Sequence, residues 1–196
     1  MVLLLRHGQS TWNAEHRWQG WADPPLSDLG RRQADAAARW LAAGDDRFGQ
    51  VVCSDLARAR HTAEIVAAGL GLGPVEVDRA FRERDVGTWT GLTTHEIGRR
   101  WPAELTAWRE RRLQATPGGE ADPSILGRVL PALAALAGAG GGHVLVVTHG
   151  GVIRALERRQ GGDPCVLDNL CGRWVELGGT GPVLGPAVAL PALDPV

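Results

Sequence analysis

Two short aliphatic runs, residues 2–5 and 144–147, each lead through one polar residue into a histidine and a glycine. Both are too short for helices and too unbroken for half-exposed strands, so they predict strands buried on both faces, as in a parallel sheet. Between them the apolar period changes repeatedly. Ser27 followed by DLGRRQADAAARWLAAG predicts a capped helix with Leu29, Ala37 and Leu41 turned inward and Gly44 as its stop. A strand at 50–53, a helix over DLARARHTAEIVAAG capped by Ser54 and ending at Gly69 or Gly71, and a strand at 75–77 follow. Alternating strand and helix predicts an α/β fold: a mostly parallel central sheet with helices on both faces.

Residues 7–25 are rich in Trp, Gly, Asn and Pro without helical periodicity, which marks a functional loop. The stretch 81–123 is irregular, with the loop RERDVGTWTG, short helices near 93–101 and 103–113, and the turn TPGG. It reads as an inserted helical lid over the carboxyl edge of the sheet. A helix near 124–137 leads through GAGGGH into the second aliphatic strand, and a helix at 150–159 follows. Residues 173–177 predict an edge strand, and the Gly/Pro-rich tail 178–196 predicts no regular structure. A chain of 196 residues in this order is expected to form a single domain over 1–196.

Composition removes several functions. The net charge is -1, so no basic field recruits nucleic acid or an anionic membrane. No apolar stretch reaches the roughly 18 residues of a membrane helix, and the first residues already form a strand instead of a leader, which makes a cytoplasmic protein the expectation. All 21 basic residues are arginine, which excludes a Walker or Schiff-base lysine. Cys53, Cys165 and Cys171 are odd in number and at no zinc-like spacing, so neither a disulfide framework nor a zinc site is expected. Cys53, closing QVVC, reads as a small buried hydrophobe.

The chemistry gathers at the two strand ends, where open α/β sheets bind ligands. Arg6 beside His7 disfavours a cation, depresses the imidazole pKa and suits an anion, with backbone N–H groups of the Gly8 loop as further donors. A neutral His7 can attack phosphorus. His149 is followed by Gly150 and Gly151, which open a helix whose N-terminus favours anions, so two histidines are placed to flank one phosphoryl group. In SDLARARHTA, Arg58 and Thr62 share a helix face while Ala59 and Ala63 pack, and Arg60 and His61 point to solvent. Expulsion of an alkoxide needs a proton donor, for which Glu83 and Asp85 are candidates; either could instead pair with Arg82 or Arg84.

The blocks LRHGQSTWN, GWADPPLSDLGRRQA, CSDLARARHTA, FRERDVGTWTGLT and VVTHGGVIR, in this order, resemble the histidine phosphatase superfamily in its phosphoglycerate mutase-like branch, over residues 2 to about 175. The resemblance implies His7 as a nucleophile forming a phosphohistidine, with Arg6, Arg58 and His149 holding the phosphoryl group. It favours Glu83 over Asp85 as proton donor. It also implies Asn13, Ser10, Gly8 and the Gly150 amide as substrate contacts, with no metal and no cofactor.

A phosphatase admits water to the phosphohistidine, whereas a mutase holds a second anionic group and excludes it. Mutases of the family carry a lysine where this chain has Thr94, and the insertion is short, so a phosphomonoesterase of a small phosphorylated metabolite is the expected activity. Phosphoglycerate mutase-type transfer is the alternative, and a non-catalytic phospho-ligand binding protein the alternative of another class. Phosphatases of the branch read PGGES where this chain reads PGGEA, so Ala121 lacks a hydroxyl. Trp18, Trp21, Trp89 and Trp101 are candidates for a sugar-stacking pocket, each weighed against a core or rim role. Arg109, Arg111 and Arg112 are candidates to meet a substrate carboxylate, Arg109 resembling a mutase substrate arginine, but read first as a solvated face, and a homodimer is compatible with the sequence.

Overall fold

The computed structural model describes residues 1–138, 141–161, 167–179 and 181–189. The aliphatic runs form β1 (Val2–Arg6) and β4 (His143–Thr148), paired in parallel with Val2 opposite Val144 and Arg6 opposite Thr148. This register sets His7 and His149, the next residues of each strand, side by side. β2 (Phe48–Cys53) flanks β4, and β3 (Glu76–Val77) closes that side, both parallel. β5 (Cys171–Gly178) runs antiparallel to β1 on the other side and pairs with β6 (Gly181–Ala189), giving a mixed six-stranded sheet in the order β3-β2-β4-β1-β5-β6.

Two expectations at the C-terminal side are corrected. Residues 173–177 belong to an interior strand, and part of the Gly/Pro-rich tail forms the edge beside it. An edge strand with a register shift tolerates Pro182 and Pro186, because its outer backbone groups need no partner strand. Cys165 and residues 190–196 lie outside the described residues.

Alternate residues of β1 and β4 feed two cores. Leu4, Val144 and Val146 pack with Ile125, Val129 and Leu133 of α6 (Asp122–Ala135) and with Val152 and Ile153 of α7 (Gly150–Arg159). Leu3, Leu5, Leu145 and Val147 pack with Ala37, Leu41, Ala59, Ala63 and Cys53, using α2 (Asp28–Ala43) and α3 (Ala57–Gly69). Ser27 caps α2 through the Gly30 N–H, as its position before the periodic run predicts. Ser54 does not cap α3. Its Oγ accepts from Leu56 N at 3.3 Å in a tight turn, so the helix begins only at Ala57.

The stretch 81–123 has its own small core. Trp89, Ile97 and Leu105 are buried there, with Trp18, Leu92, Trp101 and Trp108 against them, around α4 (Thr94–Arg100) and α5 (Pro102–Arg109). Thr93 and Glu96 close a reciprocal capping box at the start of α4. Trp18, from the first loop, joins this core and donates its indole N–H to Thr94 Oγ1 at 3.1 Å, fastening the insertion to the loop that follows β1. The first loop itself carries α1 (Thr11–Ala14), capped by Ser10.

Candidate active site

His7 and His149 are both buried, with ring centroids 5.0 Å apart. His7 Nδ1 lies 2.6 Å from the Gly8 carbonyl oxygen and so donates its proton there, which leaves the lone pair on Nε2. Burial, followed by the charges of Arg58 and Arg6, holds the His7 imidazole well below the ordinary histidine range. The same burial, with Arg58, His7 and Arg6, does so for His149. Both rings are therefore neutral near pH 7. Neither nitrogen of His149 has a hydrogen-bond partner among the described residues, although both are buried. Such orphaned polar atoms cost free energy in a folded chain and are concentrated where a ligand completes the network.

Arg58 is fully buried, yet only its two terminal nitrogens are engaged, by the Ala22 carbonyl at 2.8 Å and the Gly20 carbonyl at 2.9 Å; Nε has no partner among the described residues. Burial lowers its pKa to about 10, with Glu83 and Asp23 opposing the shift, so it stays cationic at neutral pH. Arg6 donates to the Leu167 carbonyl; burial lowers its pKa and Glu83 pulls it back up. Two cations and two neutral imidazoles thus meet at the carboxyl edge of the sheet, and Glu83 is the acid whose charge both arginines feel first.

Glu83 reaches this edge from the insertion. Its Oε1 accepts from its neighbour Arg84 N at 2.7 Å and from Gly151 N, in the first turn of α7, at 2.9 Å. The flanking arginines do not pair with it: Arg82 forks onto Asp55 at 2.7 Å through both nitrogens, and Arg84 binds Asp122 and the Glu120 carbonyl. Asp85 turns away, accepting from Gly87 N at 2.9 Å. Of the two candidate carboxylates, only Glu83 is tied to the helix that His149 caps.

The Gly8 loop departs from expectation. Its N–H groups are not offered to an anion: Gly8 N donates to Thr62 Oγ1, Gln9 N to Gln33 Oε1 and Ser10 N to Asn13 Oδ1. Glycine is required at position 8 for another reason, since a Cβ there would stand 2.6 Å from the Gly30 carbonyl oxygen. The Ser10 hydroxyl is engaged on both sides, accepting from Asn13 N at 3.0 Å and donating to Gln19 Oε1 at 2.7 Å. Asn13 Oδ1 is held by Ser10 N, which leaves its NH₂ group as the donor. Gly150 opens α7 directly after His149.

Residues 2–166 match the family model of the histidine phosphatase superfamily (branch 1). The chain belongs to this superfamily. A glucosyl-3-phosphoglycerate phosphatase of Mycolicibacterium vanbaalenii is 41% identical over 189 residues, covering 92% of this chain and 80% of its own. A 2,3-bisphosphoglycerate-dependent phosphoglycerate mutase of Methylorubrum extorquens is 37% identical over 162 residues, covering 80% of this chain and 76% of its own. The solved structure of a mycobacterial glucosyl-3-phosphoglycerate phosphatase with VO3 superposes at a TM-score of 0.80 and 34% identity, covering 89% of this chain and 90% of that one. The chain is a phosphatase of the histidine phosphatase superfamily, the family its ordered sequence blocks implied.

Several groups that build this histidine phosphatase site carried no motif. Asn169 donates to the His7 carbonyl at 2.8 Å from a segment 162 residues away. Thr148, one residue before His149, donates to the Phe81 carbonyl at 2.8 Å and so ties β4 to the segment that delivers Glu83. Of the tryptophans weighed for a pocket, Trp89 is fully buried in the small core, whereas Trp21 is 42% exposed and donates to the Glu83 carbonyl at 2.8 Å, with the Arg82 guanidinium over its ring. Arg109, Arg111 and Arg112 are exposed, as a solvated face would be. No helix of the described residues is long and apolar enough to cross a membrane.

Proposed function

We propose that this phosphatase hydrolyses monoesters of a small, polar phosphorylated metabolite in two displacements, with His7 as the nucleophile and Glu83 as the acid and base. The observation that carries the reading is the pair of neutral, buried imidazoles 5.0 Å apart, one with its lone pair fixed on Nε2 and the other with no partner among the described residues.

In the first displacement the His7 Nε2 lone pair forms a bond to phosphorus as the ester P–O bond breaks. Glu83 gives its proton to the departing oxygen. With Oε1 occupied by two backbone donors, Oε2 is the oxygen that carries the proton. In the second, Glu83 takes a proton from water, the water oxygen bonds to phosphorus, and the P–N bond breaks to return neutral His7 and phosphate. Arg6 and Arg58 supply the positive charge for the transferring group, and neutral His149 donates its one N–H to a phosphoryl oxygen. The Asn13 NH₂ and the Gly150 amide complete the donor set, and Ser10 acts by capping α1 and orienting Asn13.

Hydrolysis is favoured over mutase transfer by position 94. The family's mutases place a lysine there, and here the position holds the uncharged Thr94, whose Oγ1 accepts from the Trp18 indole. Glucosyl-3-phosphoglycerate, the substrate named for two of the relatives, fits as one member of the substrate class, with Trp21 beside Glu83 where the departing alcohol would lie. The test is phosphate release from p-nitrophenyl phosphate, phosphoglycerates, sugar phosphates, sugar-phosphoglycerates and phosphoserine, with isomerisation of 3-phosphoglycerate followed in parallel. Release that disappears in His7→Ala, without isomerisation, is the expected result; isomerisation faster than release would overturn the hydrolase reading.

A further inference from the structure

The segment that delivers Glu83 has little regular structure of its own: a single 3₁₀ turn over Arg79–Phe81 precedes it, and Glu83 itself stands in a loop. A catalytic carboxyl on such a segment is placed only as well as its backbone is held, and each peptide oxygen from 80 to 83 is held by a side chain. Thr148 Oγ1 binds the Phe81 carbonyl. The other three all go to one residue. Arg128 Nη1 donates to the Ala80 carbonyl at 2.6 Å and the Arg82 carbonyl at 2.7 Å, and Nη2 donates to the Glu83 carbonyl at 3.1 Å. The Trp21 indole N–H adds a second donor to the Glu83 carbonyl.

Arg128 is itself fixed. Its Nε and Nη2 fork onto the Glu120 carboxylate at 3.0 and 2.9 Å, and Glu120 Oε2 also accepts from Asp85 N at 3.1 Å, on the far side of Glu83. The Glu120 N–H returns to the Asp85 carbonyl at 2.8 Å. The loop is therefore gripped on both sides of Glu83 by one ion pair. Arg128 stands on α6 between Ile125 and Val129, both fully buried in the core against the sheet, so the grip is anchored on a helix packed into that core. Planar, multi-donor geometry of this kind is specific to arginine; a lysine retains the charge and loses the fork.

We propose that Arg128, with Glu120 as its partner, is a positioning residue for acid–base catalysis: it fixes the backbone of residues 80–83 and thereby holds the Glu83 carboxyl at the leaving-group side of the phosphoryl site. The inference rests on the assignment of Glu83 as proton donor. Among the described residues its hydrogen bonds go to the backbone of 80–83 and to Glu120, so Arg128 acts through that residue, while its charge also reaches His149.

The test compares Arg128→Lys, Arg128→Leu and Glu120→Gln with Glu83→Gln in the full chain, on two substrates: glycerol phosphate, whose alkoxide must be protonated to leave, and p-nitrophenyl phosphate, whose leaving group needs no proton. Displacement of the carboxyl by an ångström is expected to lower kcat/KM, which reports the steps up to departure of the leaving group, about tenfold or more on glycerol phosphate and by less than about threefold on p-nitrophenyl phosphate. Adding Arg128→Lys to Glu83→Gln is expected to bring no further selective loss on glycerol phosphate. A role confined to folding lowers the melting temperature and both rates in proportion, and that outcome overturns the proposal. If Arg128→Leu does not fold, Arg128→Lys and Glu120→Gln decide the same ratio. If Glu83→Gln shows no selectivity, the assignment of the proton donor falls first; if it does and the Arg128 and Glu120 variants do not, only the positioning role falls.

Discussion

The Glu83 carboxylate rests against the backbone of Gly151: Oε1 accepts the Gly151 N–H at 2.9 Å, and a Cβ at position 151 would overlap that oxygen. The second glycine of THGG is thus explained by the room a carboxylate needs at the start of α7. Gly151→Ala adds a residue of better helix propensity, so the fold is expected to survive while the carboxyl is pushed aside. The kcat/KM for alkyl phosphates, which reports departure of the leaving group, is expected to fall about 10- to 100-fold, with a much smaller effect on that for nitrophenyl esters. Steady-state rates on both substrate types, beside a thermal melt, check this.

The two buried histidines make stability depend on pH. In the unfolded chain each titrates near 6.5, whereas in the folded chain each is held well below that value, chiefly by burial. The unfolded state therefore binds more protons as pH falls through 6.5 toward the folded pKa, and the folded state is progressively penalised over that window. Above about pH 7 the two contribute no slope. The melting temperature is expected to drop between pH 6.5 and 5, and His149→Gln is expected to flatten that drop, a comparison that calorimetry at matched ionic strength would make directly.

Thr62 links the loop after His7 to α3, since its Oγ1 accepts from Gly8 N at 3.1 Å and donates to the Arg58 carbonyl at 2.7 Å. Thr62→Val keeps the shape and leaves the buried Gly8 N–H without its acceptor. A loss of about 1–3 kcal/mol in urea denaturation is expected. An unchanged midpoint would show that the Gly8 loop is held by other means.

Ala121 is the N-cap residue of α6 and offers no side-chain oxygen to the helix. A serine here would offer a second acceptor to the Ser124 N–H, which now donates to the Ala121 carbonyl at 3.1 Å, and Ala121→Ser is expected to raise stability by up to about 1 kcal/mol without altering kcat. The missing hydroxyl of PGGEA is thereby read as a lost cap, and a gain of activity in place of stability would assign it to the site instead.

Much of this arrangement was legible because each part is local. The aliphatic runs announce β1 and β4 and the histidines lie at their ends because each stands one residue beyond its strand, whereas the direct pairing of the two strands is seen only in the fold. Ser27 announces its cap for the same reason. What failed depends on partners elsewhere in the chain. Ser54 and Asp55 look like a helix start, but Asp55 is drawn off to the Arg82 fork and Ser54 into a turn. The Gly8 loop looks like an anion nest until Thr62 and Gln33 claim its donors. Gly and Pro after residue 180 look unstructured, yet β5 offers an edge that can pair with them. Arg128 and Asn169 carry no motif because their roles exist only once α6 and the 167–170 segment meet the site.

The most direct test of the central claim is to trap the phosphoenzyme. The protein is mixed with p-nitrophenyl phosphate, quenched in alkali within the first turnover to preserve a phosphoramidate, and mapped by peptide mass. Phosphate on the imidazole of His7, absent from His7→Ala, is the expected result. Phosphate on His149, or turnover with no phosphorylated peptide at any quench time, would contradict it.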